Sequence, residues 1–280
     1  MAYSAQVGQS RGARDSVRSA RWAPEKRLVV AETNGGRRAA LVTGAASGIG
    51  RAIAQRLTTD GMDVLAVDLR PDSNGPGHPH QADLTTREGN RVAVEAMLER
   101  FGRIDAVIAN AGFQHVAAIE EFPEDRWDAM LALLLTSPFL LARYAWQALI
   151  QAPDPRFVAI ASVLGLRGAP FKSAYVAAKH GVVGLVKTLA LEGAEHGILA
   201  TAICPAFVRT PLVERQISDL AQRHGLPIER VLDDVILAGP AIKRLLEPDE
   251  VAGLVSHLLG PGGCAFTGTA VTMDLGHTAR

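Results

Sequence analysis

Tyr175 and Lys179 stand four residues apart in Tyr175-Val-Ala-Ala-Lys179, at the start of a helical pattern, and so share one helix face. Ser162 closes the apolar run that precedes them. A phenol with an ordinary pKa of about 10 is a poor base at neutral pH, but a neighbouring ammonium favours its ionised form. The three side chains could manage the proton of an alcohol. Tyr175 would exchange it, Lys179 would lower the phenol's pKa and hold ribose hydroxyls, and Ser162 would orient the substrate oxygen. The hydride belongs to a cofactor.

A second group of residues suits such a cofactor. The segment Leu41-Val-Thr-Gly44-Ala-Ala-Ser47-Gly48-Ile49-Gly50 follows an apolar run and opens a helical pattern. Gly44, Ser47, Gly48, Ile49 and Gly50 can bend the backbone sharply and bring a diphosphate to the free N–H groups of a helix start, where the dipole favours negative charge. Asp68 ends the next apolar run, where a carboxylate can accept hydrogen bonds from an adenosine ribose. That carboxylate repels a 2′-phosphate, and Ala45 and Ala46 offer no cation to receive one, so NAD is expected rather than NADP.

From Ala39 onward, short apolar runs alternate with amphipathic stretches of helix length, the pattern of βαβ units. Strands are predicted at 39–43, 63–67, 104–109, 156–161, 199–203 and 269–273, and helices at about 48–60, 86–102, 124–150, 173–195 and 248–259. The crossover Arg70 to His80, rich in Pro and Gly, is predicted to be a loop, and Arg209 to Pro240 a polar, less regular segment acting as a substrate lid over 209–240. The expected fold class is α/β: a single doubly wound Rossmann domain over 37–280, with a parallel sheet and helices on both faces. Residues 1–36 carry Arg11, Arg14, Arg18, Arg21, Lys26 and Arg27 without an apolar period, and read either as a flexible extension or as a transit peptide.

Composition narrows the partners. The 280 residues balance 29 basic against 29 acidic side chains, which leaves no net field for nucleic acid or an anionic membrane. The longest apolar stretch, Ala129 to Ala142, is broken by Thr136, Ser137 and Pro138 and falls short of a bilayer span. Two cysteines, Cys204 and Cys264, make neither a disulfide framework nor a metal cluster, which fits a reducing, cytoplasmic setting and no metal. The partner expected is a small hydroxy acid or ketone. Two long apolar helices, 124–150 and 173–195, exceed what one sheet face covers, which points to a homo-oligomer, dimer or tetramer.

The chain resembles the short-chain dehydrogenase/reductase family over nearly all of Ala39 to Arg280. The resemblance implies that Asp83-Leu84 contacts adenine, that Asn110-Ala111-Gly112 lines the cofactor cleft, and that Pro205, Val208 and Thr210 belong to the loop holding the nicotinamide carboxamide. Further segments, among them Ala111-Gly-Phe-Gln-His115, Lys172-Ser-Ala-Tyr-Val-Ala-Ala-Lys-His-Gly-Val-Val183 and Val208-Arg-Thr-Pro-Leu-Val-Glu-Arg-Gln-Ile217, resemble bacterial-type D-3-hydroxybutyrate dehydrogenases. That likeness implies that Gln114, Lys172 and Gln216, with Ser162 and Tyr175, bind a carboxylate substrate.

The chain also departs from these patterns. Leu164 stands where the subfamily has a carboxylate-binding His, and Phe207 and His277 stand where it has tryptophans. His277 either replaces the lost donor or sits in an exposed tail. Leu134 replaces a family Asn that kinks the long helix and whose carbonyl holds a relay water. Pro138, four residues on, has no N–H to offer that carbonyl and is expected to free it by another route. Three readings follow: an NAD-dependent dehydrogenase of a small hydroxy acid such as 3-hydroxybutyrate, one acting on a less polar hydroxy compound, or an NAD-binding sensor with little turnover.

Overall fold

In the computed structural model, residues 36–225 and 227–279 are described. The predicted N-terminal extension lies outside them except for Gly36. Seven parallel strands form one sheet: β1 (Ala39–Thr43), β2 (Asp63–Asp68), β3 (His78–Gln81), β4 (Ala106–Ala109), β5 (Arg156–Ile160), β6 (Leu199–Pro205) and β7 (Ala270–Met273). Their order in space is β3-β2-β1-β4-β5-β6-β7. The chain therefore reverses direction across the sheet between β1 and β4, and in such sheets the crevice at the carboxyl ends of those two strands receives the ligand.

Helices cover both faces, which is why the central strands are apolar throughout rather than alternating. One face packs Leu41, Val107 and Phe157 against α2 (Arg87–Phe101), α4 (Ser137–Gln151) and α5 (Ser173–Gly193). The other packs Val42, Ile108 and Ile203 against α1 (Gly48–Thr59) and α8 (Pro248–Leu259). By length and composition alone, the helical stretches Glu124–Gln151 and Ser173–His196 could cross a membrane. Here they supply Leu141, Ala145 and Leu149, and Val182, Val186 and Leu189, to the first of these cores.

Three predicted segments need correction. The Arg70–His80 crossover ends in β3, which pairs with β2 alone of its possible neighbours and so forms an edge, where Pro79 lacks an N–H at little cost. The 209–240 segment is helical, with α6 (Pro211–His224) and α7 (Ile228–Val231). Ile217, Ala221, Val231, Ile236, Leu237 and Leu245 give it a small core of its own. The long helix is interrupted: α3 (Glu124–Leu131) passes into a π-helical turn, Ala132–Thr136, before α4 begins.

That turn has a backbone cause. The Ser137 N–H bonds to the Ala132 carbonyl, five residues back, and Pro138 has no N–H for the Leu134 carbonyl. The backbone at Leu134 is thus not that of a regular α-helix, as the Pro138 argument expects. Ser137 also ties this turn to α2, its hydroxyl donating to the Asn90 side-chain oxygen at 2.6 Å. Asn90 in turn donates to the carbonyls of Leu84 and Thr86 at 2.9 and 2.7 Å. Asn90 is fully buried. Asn90→Ala leaves these groups without partners and is expected to cost about 2 kcal/mol, read by chemical denaturation; a loss below about 0.5 kcal/mol contradicts this role.

Candidate active site

The glycine turn between β1 and α1 is built for close approach. Gly44 and Gly48 have φ of 66° and 54°, in the left-handed region that glycine alone adopts freely. A Cβ on Gly50 would lie 2.1 Å from the Gly44 carbonyl oxygen, so no larger residue fits there. Ser47 caps α1 in extended conformation without using its side chain as a cap. Thr210 closes the turn from the other side, its Cγ2 lying 3.1 Å from where a Gly48 Cβ would stand, and its Oγ1 accepts from the Val213 N–H at the start of α6.

Thr43, which sequence reading used only as the start of the turn, fixes the strand after it. Its Oγ1 accepts from the N–H groups of Asn110 and Ala111 at 2.9 and 3.0 Å. Asn110 returns a side-chain N–H to the Thr43 carbonyl at 2.8 Å. At the end of β2, Asp68 accepts from the N–H groups of Ala46 and Arg70 at 3.1 and 3.0 Å. Gly44, Asp68, Asp83, Leu84, Ala111 and Gly112 line one cavity of about 360 Å³. Leu69, Ala82, Thr85, Phe113 and Leu133 complete its walls. A cradle that Cβ atoms would fill, an open helix N-terminus and a carboxylate at the second strand fit a dinucleotide. Pro205 ends β6, and Val208 is buried and bridged to Leu246.

A second cavity, of about 140 Å³, brings Gln114, Ser162, Lys172, Tyr175 and Gln216 together. Ser162 comes from the end of β5, where its Oγ accepts from the Leu164 N–H at 3.1 Å. Lys172 lies just before α5, and Gln216, on α6, donates to the Gln114 side-chain oxygen. Leu164, Arg167, Phe207 and His277 share the wall. His277 is therefore part of the cavity rather than of an exposed tail: its ring packs on Gly239, and the Leu275 carbonyl accepts from Ala241 and Ile242. Arg167 was missed because it belongs to no motif; only its place five residues after Ser162 could have flagged it.

Tyr175 and Lys179 meet as the helical spacing requires, with the ammonium 5.6 Å from the centre of the phenol ring. Lys179 is buried and donates to the Ile160 carbonyl at 2.6 Å. Met130, Leu134, Ala174 and Ala178 form a small apolar cluster against which Tyr175 packs, with Leu134 also pressed on Gly112. The expected acidification of the phenol is not what the protein alone achieves. Burial pushes Tyr175 up to about 12, against a smaller opposing effect of the Ser162 hydroxyl. Burial also pushes Lys179 down to about 8. Desolvation is the largest effect on both groups, so in this state the phenol is neutral at physiological pH.

A family model described as short chain dehydrogenase matches residues 38–221. The D-beta-hydroxybutyrate dehydrogenase of Rhizobium meliloti is 41% identical over 254 residues, covering 86% of this chain and 98% of the relative. The enzyme of the same description from Cupriavidus necator is 38% identical over 252 residues, with the same coverage of 86% and 98%. Among solved structures, the ligand-free aldohexose dehydrogenase of Thermoplasma acidophilum superposes with a TM-score of 0.81 at 28% identity, covering 88% of this chain and 95% of that one. The chain belongs to the short-chain dehydrogenase family and is an oxidoreductase of that class. Family and fold imply a nicotinamide dinucleotide cofactor.

The buried ammonium carries a stability consequence. Lys179 has its folded pKa lowered to about 8 from 10.5, so between those values the unfolded chain binds more protons and stability rises with pH. Below pH 8 the full penalty stands. Lys179→Met is therefore expected to stabilise the protein by about 2 kcal/mol at pH 7, after allowing for the lost bond to Ile160, with the gain shrinking toward pH 10.5. Denaturant titrations at both pH values check this; a destabilised variant at pH 7 contradicts it.

Proposed function

We propose that this protein is an NAD-dependent dehydrogenase that interconverts a small hydroxy acid and its keto acid, with D-3-hydroxybutyrate and acetoacetate the best-supported pair. The observation that carries the reading is the meeting of Gln114, Lys172 and Gln216 with Ser162 and Tyr175 in one cavity. Two amides and an ammonium suit a carboxylate, and the serine and phenol suit an alcohol or carbonyl oxygen. The relatives' descriptions support the same substrate class. Asp68 supports NAD, since its carboxylate faces the cavity that Gly44 and Leu84 line and would repel a 2′-phosphate. NAD, when bound, accepts or returns the hydride. Ser162 orients the substrate oxygen, Tyr175 exchanges its proton, and Lys179 favours the phenolate once a further positive charge offsets the cost of burial.

Leu164 and Phe207 in the cavity wall favour a second reading, a less polar hydroxy compound. We also propose a cytoplasmic homo-oligomer: Phe139 and Leu191 are exposed at 42% and 81% on the two long helices, surface that a second copy would cover. The test of function is NADH formation from D-3-hydroxybutyrate, beside neutral secondary alcohols, with Tyr175→Phe as control. Turnover of the acid, reduced at least a thousandfold by the substitution and at least tenfold faster with NAD than NADP, is expected. Turnover of neutral alcohols alone supports the second reading. Cofactor binding without any turnover contradicts both.

A further inference from the structure

The two cavities differ in charge. Asp68 and Asp83 line the dinucleotide side. The substrate side is lined, among the described residues, by Lys172, Arg167 and His277 and by no carboxylate. Asp274, beside His277, is occupied by the C-terminal turn, accepting from the N–H groups of Gly276 and Thr278. Arg167, like Arg70, Arg87, Arg143 and Arg215, has no carboxylate partner among the described residues, which leaves its guanidinium open to an external one. A small cavity lined by both an ammonium and a guanidinium can receive more than one negative charge.

The cations also sit at different depths. Lys172 is partly withdrawn from water, with its ammonium 5.9 Å from the centre of the Phe207 ring, and burial pushes its pKa down. Arg167 is exposed at the rim. The turn that presents Ser162 also carries Arg167 there: the Leu164 N–H is held by Ser162 Oγ, and the Arg167 N–H by the Val163 carbonyl. The same cavity wall also carries aliphatic and aromatic side chains, Val163, Leu164, Ala169, Phe207 and Leu212. Such a wall suits carbon with an anion at each end.

Resting on the reading of the site as a hydroxy-acid site, we propose that Arg167 is a specificity-determining residue that binds a second carboxylate, so that the preferred substrates are short hydroxydicarboxylates rather than hydroxymonocarboxylates. Lys172, Gln114 and Gln216 hold the inner carboxylate. Arg167 offers the outer one a planar, bidentate partner, and the fit in about 140 Å³ restricts the chain between them to a few carbons. The reaction itself is unchanged.

The test pairs 3-hydroxyglutarate with D-3-hydroxybutyrate as substrates, and glutarate with butyrate as inert ligands of the NADH-loaded protein, measured by calorimetry. The expected result is a kcat/KM at least tenfold higher for 3-hydroxyglutarate and tighter binding of glutarate. In Arg167→Ala both advantages fall at least tenfold while butyrate and hydroxybutyrate lose threefold at most, and Arg167→Lys recovers part of the difference. An unchanged melting temperature shows that the variant folds, as its exposure implies. Equal handling of the mono- and dicarboxylates, or equal loss of both in Arg167→Ala, overturns the proposal and leaves the hydroxy-acid reading standing. If neither acid binds while neutral alcohols turn over, the hydroxy-acid reading falls and this proposal with it.

Discussion

A phenol and an ammonium stand on successive turns of α5, the ammonium buried and the phenol half-buried against Met130, Leu134, Ala174 and Ala178. Their burial shifts both pKa values toward the neutral forms, to about 12 for Tyr175 and about 8 for Lys179. The surrounding structure answers to this constraint. The Ile160 carbonyl, at the end of β5, gives the ammonium its hydrogen bond, and the next turn places Ser162 beside the phenol. The sheet's reversal between β1 and β4 opens the crevice for the dinucleotide beside it. A pair so poised needs only an added positive charge to release the phenol's proton.

The two ends of the site are fixed by short polar links rather than by apolar packing alone. Thr43 fastens the strand carrying Asn110 and Ala111 to the glycine turn. Asn90 joins the Leu84 loop to the π-helical turn through Ser137. Thr210 seats α6 against Gly48. Since Gln216 lies on α6, the element that approaches the dinucleotide turn also brings one of the substrate-binding amides to the cavity.

Much of this was legible in the sequence where a physical period or a steric demand was strong. The strand β4 is a continuous apolar run and β1 and β5 are apolar over four of five residues, and the Gly44–Gly50 turn, Asp68, Ser162 and the Tyr175–Lys179 spacing each carry a local requirement that can be read one residue at a time. The edge strand His78–Gln81 was hidden by Pro79, whose missing N–H matters only inside a sheet. The π-helical turn depends on a bond pattern five residues deep that leaves no mark on apolar periodicity. Arg167 and the inward position of His277 depend on how the Ser162 turn and the C-terminal turn fold back on the cavity, and no spacing rule encodes that. The phenol's raised pKa could not be foreseen from the lysine beside it, because the depth of burial decides the sign.

The central claim is that burial, rather than the neighbouring ammonium, sets the phenol's resting state. The direct measurement is the ionisation of Tyr175 followed by NMR of labelled tyrosine, assigned by comparison with Tyr175→Phe, with and without NAD. The account predicts that the phenol stays neutral toward about pH 12 in the protein alone and ionises at a lower pH with NAD bound. Ionisation below pH 10 in the protein alone would contradict it.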